Sequence, residues 1–221
     1  MGKIRAINES EKIEKRNNIL RIAGMLLLKM SYRDITVNRI AEASGLAKGT
    51  IFLYFETKED IFLSLAEQLI DTWGGKLRKA LRSHSTGKNG TEAEEFVDMV
   101  ISTLDDILLI KLFAILDDTL EQNIEKKRAM KFKVFLRNIM TECGEIIEAR
   151  FPEMEKGDGI IVLNSFFVNL VGAYKVSNQS ETIRKIADQP GMEIFRRDFN
   201  SILRHTTVCY ITGFLSLRRG E

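Results

Sequence analysis

Residues 36–58, TVNRIAEASGLAKGTIFLYFETK, read as two short helices joined by a tight turn, with the start of a longer helix behind them. Thr36 is a favourable N-cap, and Gly45 can take the left-handed backbone conformation that such a turn requires. The first helix has one apolar face at helical spacing, made by Val37, Ile40 and Ala41. A second helix over residues 48–55 completes the pattern. It predicts a helix-turn-helix whose second helix enters the DNA major groove, and an ordinary helical hairpin is the alternative.

Short groups of residues in this segment follow one another in order: Ile40-Ala41, Ser44-Gly45-Leu46, Lys48-Gly49-Thr50-Ile51, Tyr54-Phe55 and Thr57-Lys58-Glu59. Together they resemble the signature of the TetR family of transcriptional repressors, over residues 19–65. The resemblance implies an all-α homodimer with an N-terminal three-helix helix-turn-helix domain and a C-terminal helical domain that binds a ligand and dimerises. We place the boundary so that residues 1–56 bind DNA and residues 57–221 bind ligand and dimerise.

Composition is compatible with this architecture. The chain has 221 residues, 44% of them hydrophobic, and its two prolines suit long helices. Residues 1–60 hold eleven Lys and Arg against eight Asp and Glu, a weak sign of a phosphate-binding module. The N-terminus lacks the apolar core of a signal peptide, and the longest charge-free run, residues 159–174, falls short of the ~20 residues that span a membrane. We expect a cytoplasmic protein with no membrane partner.

Apolar periodicity predicts further helices, and turn residues separate them. Residues 1–10 are expected to form a mobile arm, and residues 82–90 a linker before a capping box at Thr91 and Glu94. The helices are expected over residues 11–30, 58–81, 96–120 (one helix or two), 124–151, 160–176 and 192–217, with a short helical piece within 177–191. Gly74-Gly75 either permits close helix packing or forms a soft point that bends when ligand binds.

The resemblance assigns the DNA contacts to the helix-turn-helix and to the start of the following helix. The predicted DNA-binding residues are Thr36, Arg39, Ala47, Lys48, Gly49, Thr50, Phe52, Tyr54 and Lys58. Two of them depart from the family pattern. Ala47 replaces the usual Ser and removes a side-chain cap worth about 1 kcal/mol. Phe52 replaces the usual Tyr, so it either contacts a thymine methyl group or turns into the core.

A ligand pocket is expected within the C-terminal helices, where methionine, aromatic and isolated polar residues mix on apolar faces. The candidate lining residues are Trp73, Met99, Thr103, Phe113, Phe132, Phe135, Asn138, Asn164, Phe167 and Tyr174, and each is also a plausible core residue. Because these stripes carry no arginine or histidine, we expect a mainly apolar small-molecule effector. No metal motif or phosphate loop is present, so we predict no cofactor.

The last two long helices are predicted to form the homodimer interface as a four-helix bundle. In the final helix the apolar and small residues follow a spacing close to a heptad. The candidate interface residues are Ile160, Phe167, Val171, Phe195, Phe199, Ile202, Thr206, Cys209, Gly213 and Leu217. Cys143 and Cys209 are expected to be buried free thiols. The alternative is that both helices pack only on their own subunit.

These patterns predict a sequence-specific DNA-binding repressor that a small molecule releases from an inverted-repeat, double-stranded operator. An enzyme is disfavoured because neither His84 nor His205 has a nucleophile or carboxylate at a telling spacing. The second alternative is a helical ligand-binding or adaptor protein whose helix-turn-helix no longer reads DNA, which the residues at positions 47 and 52 make conceivable.

Overall fold

The computed structural model describes residues 2–83, 91–116 and 124–220, with side chains from residue 9 onward. The all-α prediction is confirmed, since this part of the chain contains helices and no strand. The α-helices are α1 (Gly2–Lys29), α2 (Val37–Ser44), α3 (Lys48–Phe52), α4 (Lys58–Arg82), α5 (Glu92–Ser102), α6 (Ile107–Ile115), α7 (Lys126–Arg150), α8 (Asp158–Ser177), α9 (Glu181–Ala187) and α10 (Phe199–Arg219). The predicted linker lies mostly at residues 84–90, outside the described part.

The helices form two compact units. The first contains Met1–Ile70 and Lys111–Lys133, and the second contains Asp71–Ile110 and Val134–Glu221. Each of the helices α4, α6 and α7 therefore has residues in both units. These units describe compactness within one chain, and the division into functional domains between residues 56 and 57 stays a prediction.

The first unit is built on the inner face of α1. Leu20, Ala23 and Leu27, spaced three and four residues apart, are buried on that face, and α1 packs on α2. Burying an aliphatic side chain contributes about 1.5–3 kcal/mol, so this stripe holds α2 in place, and α2 in turn packs on α3. The fully buried side chains that complete this core include Ile40, Ile51, Ile61 and Phe62.

Both ends of the chain differ from the predicted helix limits. The prediction of a mobile arm over residues 1–10 is wrong for residues 2–10, because these residues belong to α1. The last helix begins at Phe199, where the Asp198 side chain accepts a hydrogen bond from Ser201 N, and not at residue 192. Residues 193–195 form a separate 3-10 helix. Phe195 therefore does not belong to the heptad of the last helix.

Within the apolar run predicted at residues 96–120, the described residues form two helices, α5 and α6, with a break at residues 103–106, and residues 117–120 lie outside the described part. Hydroxyl groups compete for the carbonyls at the end of α5, since Ser102 Oγ donates to Met99 O and Thr103 Oγ1 donates to Val100 O. Asp106 Oδ1 then accepts from Leu108 N and starts α6. Of the two possibilities left open for this run, one helix or two, the described residues show two.

In the second unit, α10 packs on both α5 and α8. The buried face of α10 repeats every four residues, at Leu203, Thr207, Ile211 and Leu215. By length and composition alone α8 is apolar enough to cross a membrane, a test that core helices of soluble proteins also pass; here a third of its most apolar window is buried. The charge-free run at residues 159–174, taken alone, is too short to span a membrane.

Gly74 and Gly75 lie in the uninterrupted helix α4. Gly74 is buried, and a Cβ there would lie 3.2 Å from Ile139 Cγ2 of α7, as the packing interpretation requires. Gly75 is exposed, with nothing within 4 Å of an added Cβ. Close packing therefore does not explain why a glycine is present at position 75. The soft-point hypothesis stays a prediction.

Candidate nucleic-acid interface

The helix-turn-helix formed by α2, α3 and the turn between them is called the reading head below. Its first helix, α2, begins and ends where the sequence indicates. Thr36 Oγ1 accepts a hydrogen bond from Arg39 N at 3.2 Å, which satisfies one free N–H of the first turn of α2. Gly45 ends the helix with φ +68°, and Leu46 N donates to Ala41 O at 3.0 Å. Because a left-handed residue ends α2 at that point, the chain turns at once into α3.

The second helix, α3, is shorter than predicted. It spans Lys48–Phe52, and residues 53 and 54 form a turn instead of its last helical residues. Ile51 has no exposed surface and anchors α3 to the core, while Lys48 and Gly49 are exposed on it. Ala47 is the N-cap without a side-chain hydrogen bond, as expected for a residue that cannot accept one.

Phe52 does not turn into the core. Its side chain is 46% exposed, and the Lys48 ammonium lies 5.9 Å from the centroid of its ring. An exposed aromatic ring beside a cation on the recognition helix leaves contact with a thymine methyl group as the prediction for Phe52.

Lys58 has a structural role that the sequence did not reveal. Its ammonium donates to the carbonyls of Tyr32 at 3.2 Å and Ile35 at 3.0 Å, and lies 3.9 Å from the centroid of the Tyr32 ring. The Tyr32 hydroxyl donates to Glu59 Oε1 at 2.8 Å. Burial, and then this hydrogen bond, raise the pKa of Tyr32. Lys58 thus binds the connector between α1 and α2 to the start of α4, and its contact with phosphate stays a prediction.

The other predicted DNA contacts lie at the surface of the first unit. Thr36 and Arg39 are exposed, and Arg39 Nη1 lies 3.3 Å from Met30 Sδ. Thr50 and Tyr54 are half-buried. An anion at the start of α2 would meet free N–H groups and the positive end of the helix dipole. The arrangement offers DNA a surface of hydroxyl, guanidinium, ammonium and backbone N–H donors.

The candidate pocket residues are divided between the two units. Phe113 and Phe132 are buried in the first unit, and the other eight belong to the second. Trp73 Nε1 donates to the buried Thr103 Oγ1 at 2.9 Å, which explains both polar groups without a ligand. Asn138 and Asn164 are exposed, while the side chains of Met99, Phe135, Phe167 and Tyr174 are half-buried. Their role in ligand binding stays a prediction.

The candidate interface residues are largely uncovered in the single chain. Leu217 is 78% exposed, and Thr206, Cys209 and Gly213 are exposed on the same helix. The half-buried candidates are Ile160, Phe167, Val171, Phe199 and Ile202. On α8 the more exposed stripe contains Ile161 and Val168, at 47% and 68%, which the sequence analysis did not select.

The two cysteines have different environments. Cys143 is buried as predicted, and burial raises the pKa of its thiol. The prediction for Cys209 is wrong, since Cys209 is exposed, and its Sγ lies 3.9 Å from His205 Nε2. His205 and Cys209 are four residues apart and so share one face of α10, a relation that the sequence analysis did not use. Within the described residues no three His, Cys, Asp or Glu side chains form a group that could hold a metal ion.

Two family models match consecutive parts of this chain. The model of the TetR family of bacterial regulatory proteins matches residues 19–65, and the model of the tetracyclin repressor-like C-terminal domain matches residues 67–218. The chain belongs to the TetR family. The first match covers α2, α3 and their connections, which are the elements that form the reading head described above.

Two curated relatives are regulators. The chain is 31% identical over 78 residues to the fatty acid metabolism regulator protein of Bacillus subtilis (strain 168), a match that covers 35% of this chain and 40% of that protein. It is 30% identical over 88 residues to the HTH-type transcriptional repressor KstR2 of Rhodococcus jostii (strain RHA1), covering 40% and 43%. The matching region thus spans about two fifths of each relative.

Similarity of fold extends over most of the chain. The crystal structure of the transcriptional regulator FadR from Bacillus subtilis in complex with stearoyl-CoA aligns with a TM-score of 0.54 and 21% identity. The alignment covers 86% of this chain and 96% of that one. This TetR-family chain therefore shares the fold of that regulator.

Proposed function

We propose that this TetR-family chain is a transcriptional repressor that binds an inverted-repeat operator as a homodimer and leaves it when a small molecule binds. The observation that carries the proposal is the reading head: α3 is anchored by the buried Ile51 and presents Lys48, Gly49 and Phe52 to solvent. A short helix held rigidly with its first residues free is the geometry that contacts base edges in the major groove.

Homodimerisation is supported by the apolar surface that α8 and α10 leave uncovered. Val168 and Leu217 are 68% and 78% exposed in the single chain, although both helices already pack on each other. A second copy related by a two-fold axis would cover this surface and place two recognition helices in successive major grooves, roughly 34–36 Å apart or somewhat more.

A fatty acyl-CoA is the effector class that we propose. The relative with 31% identity is a fatty acid metabolism regulator, and the similar FadR fold was solved with stearoyl-CoA. The acyl chain also satisfies the expectation of a mainly apolar ligand. Release requires that the effector bind the DNA-free form more tightly than the DNA-bound form, because only differential affinity shifts the equilibrium.

Selection of bound sequences from a random duplex pool tests DNA recognition directly. We expect the full chain to enrich one inverted repeat, and the Lys48→Ala variant to bind every duplex more weakly. Stearoyl-CoA added to the selected complex should release the DNA. Because the relatives are transcriptional regulators of bacteria, we propose a cytoplasmic location for this chain.

Three results would contradict parts of the proposal separately. The absence of any enriched sequence would favour the adaptor interpretation over the repressor. Enrichment without release by stearoyl-CoA would leave DNA binding in place and refute the acyl-CoA effector. Enrichment of a site without two-fold symmetry would refute the homodimer on DNA.

A further inference from the structure

We propose that the first two turns of α7 form a second DNA-phosphate contact, made by Lys127 and Lys131, outside the helix-turn-helix. The proposal rests on the DNA-binding function proposed above and extends the surface that performs it. Three features of the first unit support it: a run of cations, an anchor that fixes the run in place, and a cleft shared with the predicted DNA contact Tyr54.

The start of α7 is strongly basic. Residues 126–133, KKRAMKFK, contain five cations and no acid. Lys126, Lys127, Lys131 and Lys133 are exposed, whereas Arg128 is half-buried. Lys127 and Lys131 are one turn apart and so lie on the same face of the helix. A polyanionic backbone is the partner that this concentration of positive charge favours.

Arg128 anchors this basic turn to α4. Its Nε donates to Asp60 Oδ1 at 2.7 Å, its two terminal nitrogens donate to the Glu67 carboxylate at 2.7 and 2.8 Å, and Nη2 also donates to Ser64 Oγ at 3.1 Å. The two-pronged geometry fixes orientation as well as distance. Because Arg128 engages Asp60 and Glu67, these two acids are already matched by a cation other than Lys127 and Lys131.

The two lysines line a cleft with residues of the reading head. The cleft has a volume of about 320 Å³, and Tyr54 and Thr57 form its wall on the helix-turn-helix side. Tyr54 is a predicted DNA-binding residue, and Thr57 Oγ1 caps the start of α4 by accepting a hydrogen bond from Asp60 N at 3.0 Å. A DNA strand that reached Tyr54 would therefore pass next to Lys127 and Lys131.

Besides Asp60, which Arg128 engages, two further acids, Glu56 and Glu125, line the cleft and reduce its positive potential. Lysine carries its charge at the end of a flexible four-carbon stem, so its ammonium extends beyond a shorter carboxylate side chain to meet a phosphate. The surface is thus suited to contact a phosphate chain along its edge, and it is too mixed in charge to select small anions.

The same segment provides a matched control. Lys126 and Lys133 belong to the same two turns and are exposed, yet neither lines the cleft. The double variants Lys127→Ala/Lys131→Ala and Lys126→Ala/Lys133→Ala therefore remove the same net charge from the same helix. A difference between them reports position and not total charge.

Fluorescence anisotropy of the full chain on a labelled random-sequence duplex, over a series of salt concentrations, tests the proposal. Each phosphate contact contributes about 0.9 to the slope of log binding constant against log salt. We expect Lys127→Ala/Lys131→Ala to reduce the slope by about 1.8. The Lys126→Ala/Lys133→Ala variant should leave it near the wild-type value. Unchanged thermal unfolding of both variants, followed by circular dichroism, confirms that they fold.

Equal changes in the two variants would refute the contact, because they would show a dependence on net charge alone. Lys48→Ala separates this proposal from the proposed function. A slope that falls in Lys48→Ala and stays unchanged in Lys127→Ala/Lys131→Ala would overturn only the second contact. A wild-type chain without measurable affinity for any duplex would overturn DNA binding itself, and the second contact with it.

Discussion

Gly159 allows α8 to lie against α7 with backbone touching backbone. A Cβ at this position would overlap the carbonyl group of Gly144 and lie 2.7 Å from Gly144 Cα. The atoms in the way belong to the backbone of α7, so no change of rotamer could make room.

Gly159→Ala is therefore expected to destabilise the protein by about 2–3 kcal/mol, the cost of overpacking at a site that cannot relax. Denaturant unfolding monitored by circular dichroism measures the change. Gly75→Ala is the matched control, since Gly75 is an exposed helical glycine with open space around it. Helix propensity predicts a gain of up to about 1 kcal/mol there. Equal stability of the two variants would contradict the packing argument.

Lys58 shows how one residue serves a purpose that local sequence does not indicate. Lys58 belongs to the sequence motif that predicts a DNA contact. In the structure its ammonium donates to the carbonyls of Tyr32 and Ile35, more than twenty residues earlier in the chain. These carbonyls lie in the connector between α1 and α2. A lysine at this position therefore orients the reading head whether or not it also meets DNA.

At the scale of elements, an ion pair ties α8 to α10. Arg218 Nη2 donates to Asp158 Oδ1 at 2.5 Å, and the other carboxylate oxygen accepts from Glu155 N at 2.8 Å. Asp158 is buried, with 2% of its surface exposed. Burial acts to raise the pKa of Asp158, but the Arg218 guanidinium and the Glu155 N–H outweigh it and hold the pKa below its ordinary value.

A lowered folded-state pKa means that Asp158 stabilises the fold above its unfolded pKa of about 3.9, and that this stability is lost as pH falls through the folded pKa. We expect Asp158→Asn to destabilise the protein by about 2 kcal/mol at pH 7, through a lost charge-assisted hydrogen bond. The deficit should shrink as pH falls below about 4, because the unfolded chain then takes up a proton at this carboxylate, which the folded protein does only at a lower pH.

Urea unfolding of the wild type and the variant between pH 7 and pH 3 measures this deficit. Asp105→Asn serves as a control, since Asp105 pairs with Lys76 at the exposed surface and solvent screens that pair. We expect a small change from it at every pH. A deficit for Asp158→Asn that persists undiminished at pH 3 would show that packing, and not charge, explains the loss.

At the scale of the whole molecule, the exposed apolar faces of α8 and α10 predict self-association. Val168→Glu/Leu217→Glu places two charges on this surface and should shift the protein from dimer to monomer in sedimentation at micromolar concentration. Burial of an unpaired carboxylate in an apolar interface is strongly unfavourable, so a weak effect is not expected. Operator affinity should fall with the loss of the dimer.

Leu53→Glu is the control for that experiment, because Leu53 is 80% exposed and lies beside the reading head in the first unit. It should remain dimeric in sedimentation even where its DNA binding is reduced. A Val168→Glu/Leu217→Glu variant that stays dimeric would place the interface elsewhere, and a monomeric wild type would end the dimer proposal.

The amino-acid sequence by itself determined the features that depend on neighbours within about four residues. The Thr36 cap, the left-handed Gly45 and the capping box of Thr91 and Glu94 are all confirmed where they were predicted. The helix-turn-helix and the all-α class follow from these local signals together with apolar periodicity. The resemblance of residues 19–65 to the TetR family rests on the same short-range order.

Only the tertiary structure decided the features in which distant residues compete for one group or one surface. Arg128 bonds to acids more than sixty residues away, Phe195 lies outside the final helix, and Cys209 is exposed despite an apolar sequence context. Periodicity identifies an apolar face but not the element that covers it. The physical reason is that caps and turns are satisfied within one helical turn, whereas burial and ion pairing are satisfied by whichever element the fold brings near.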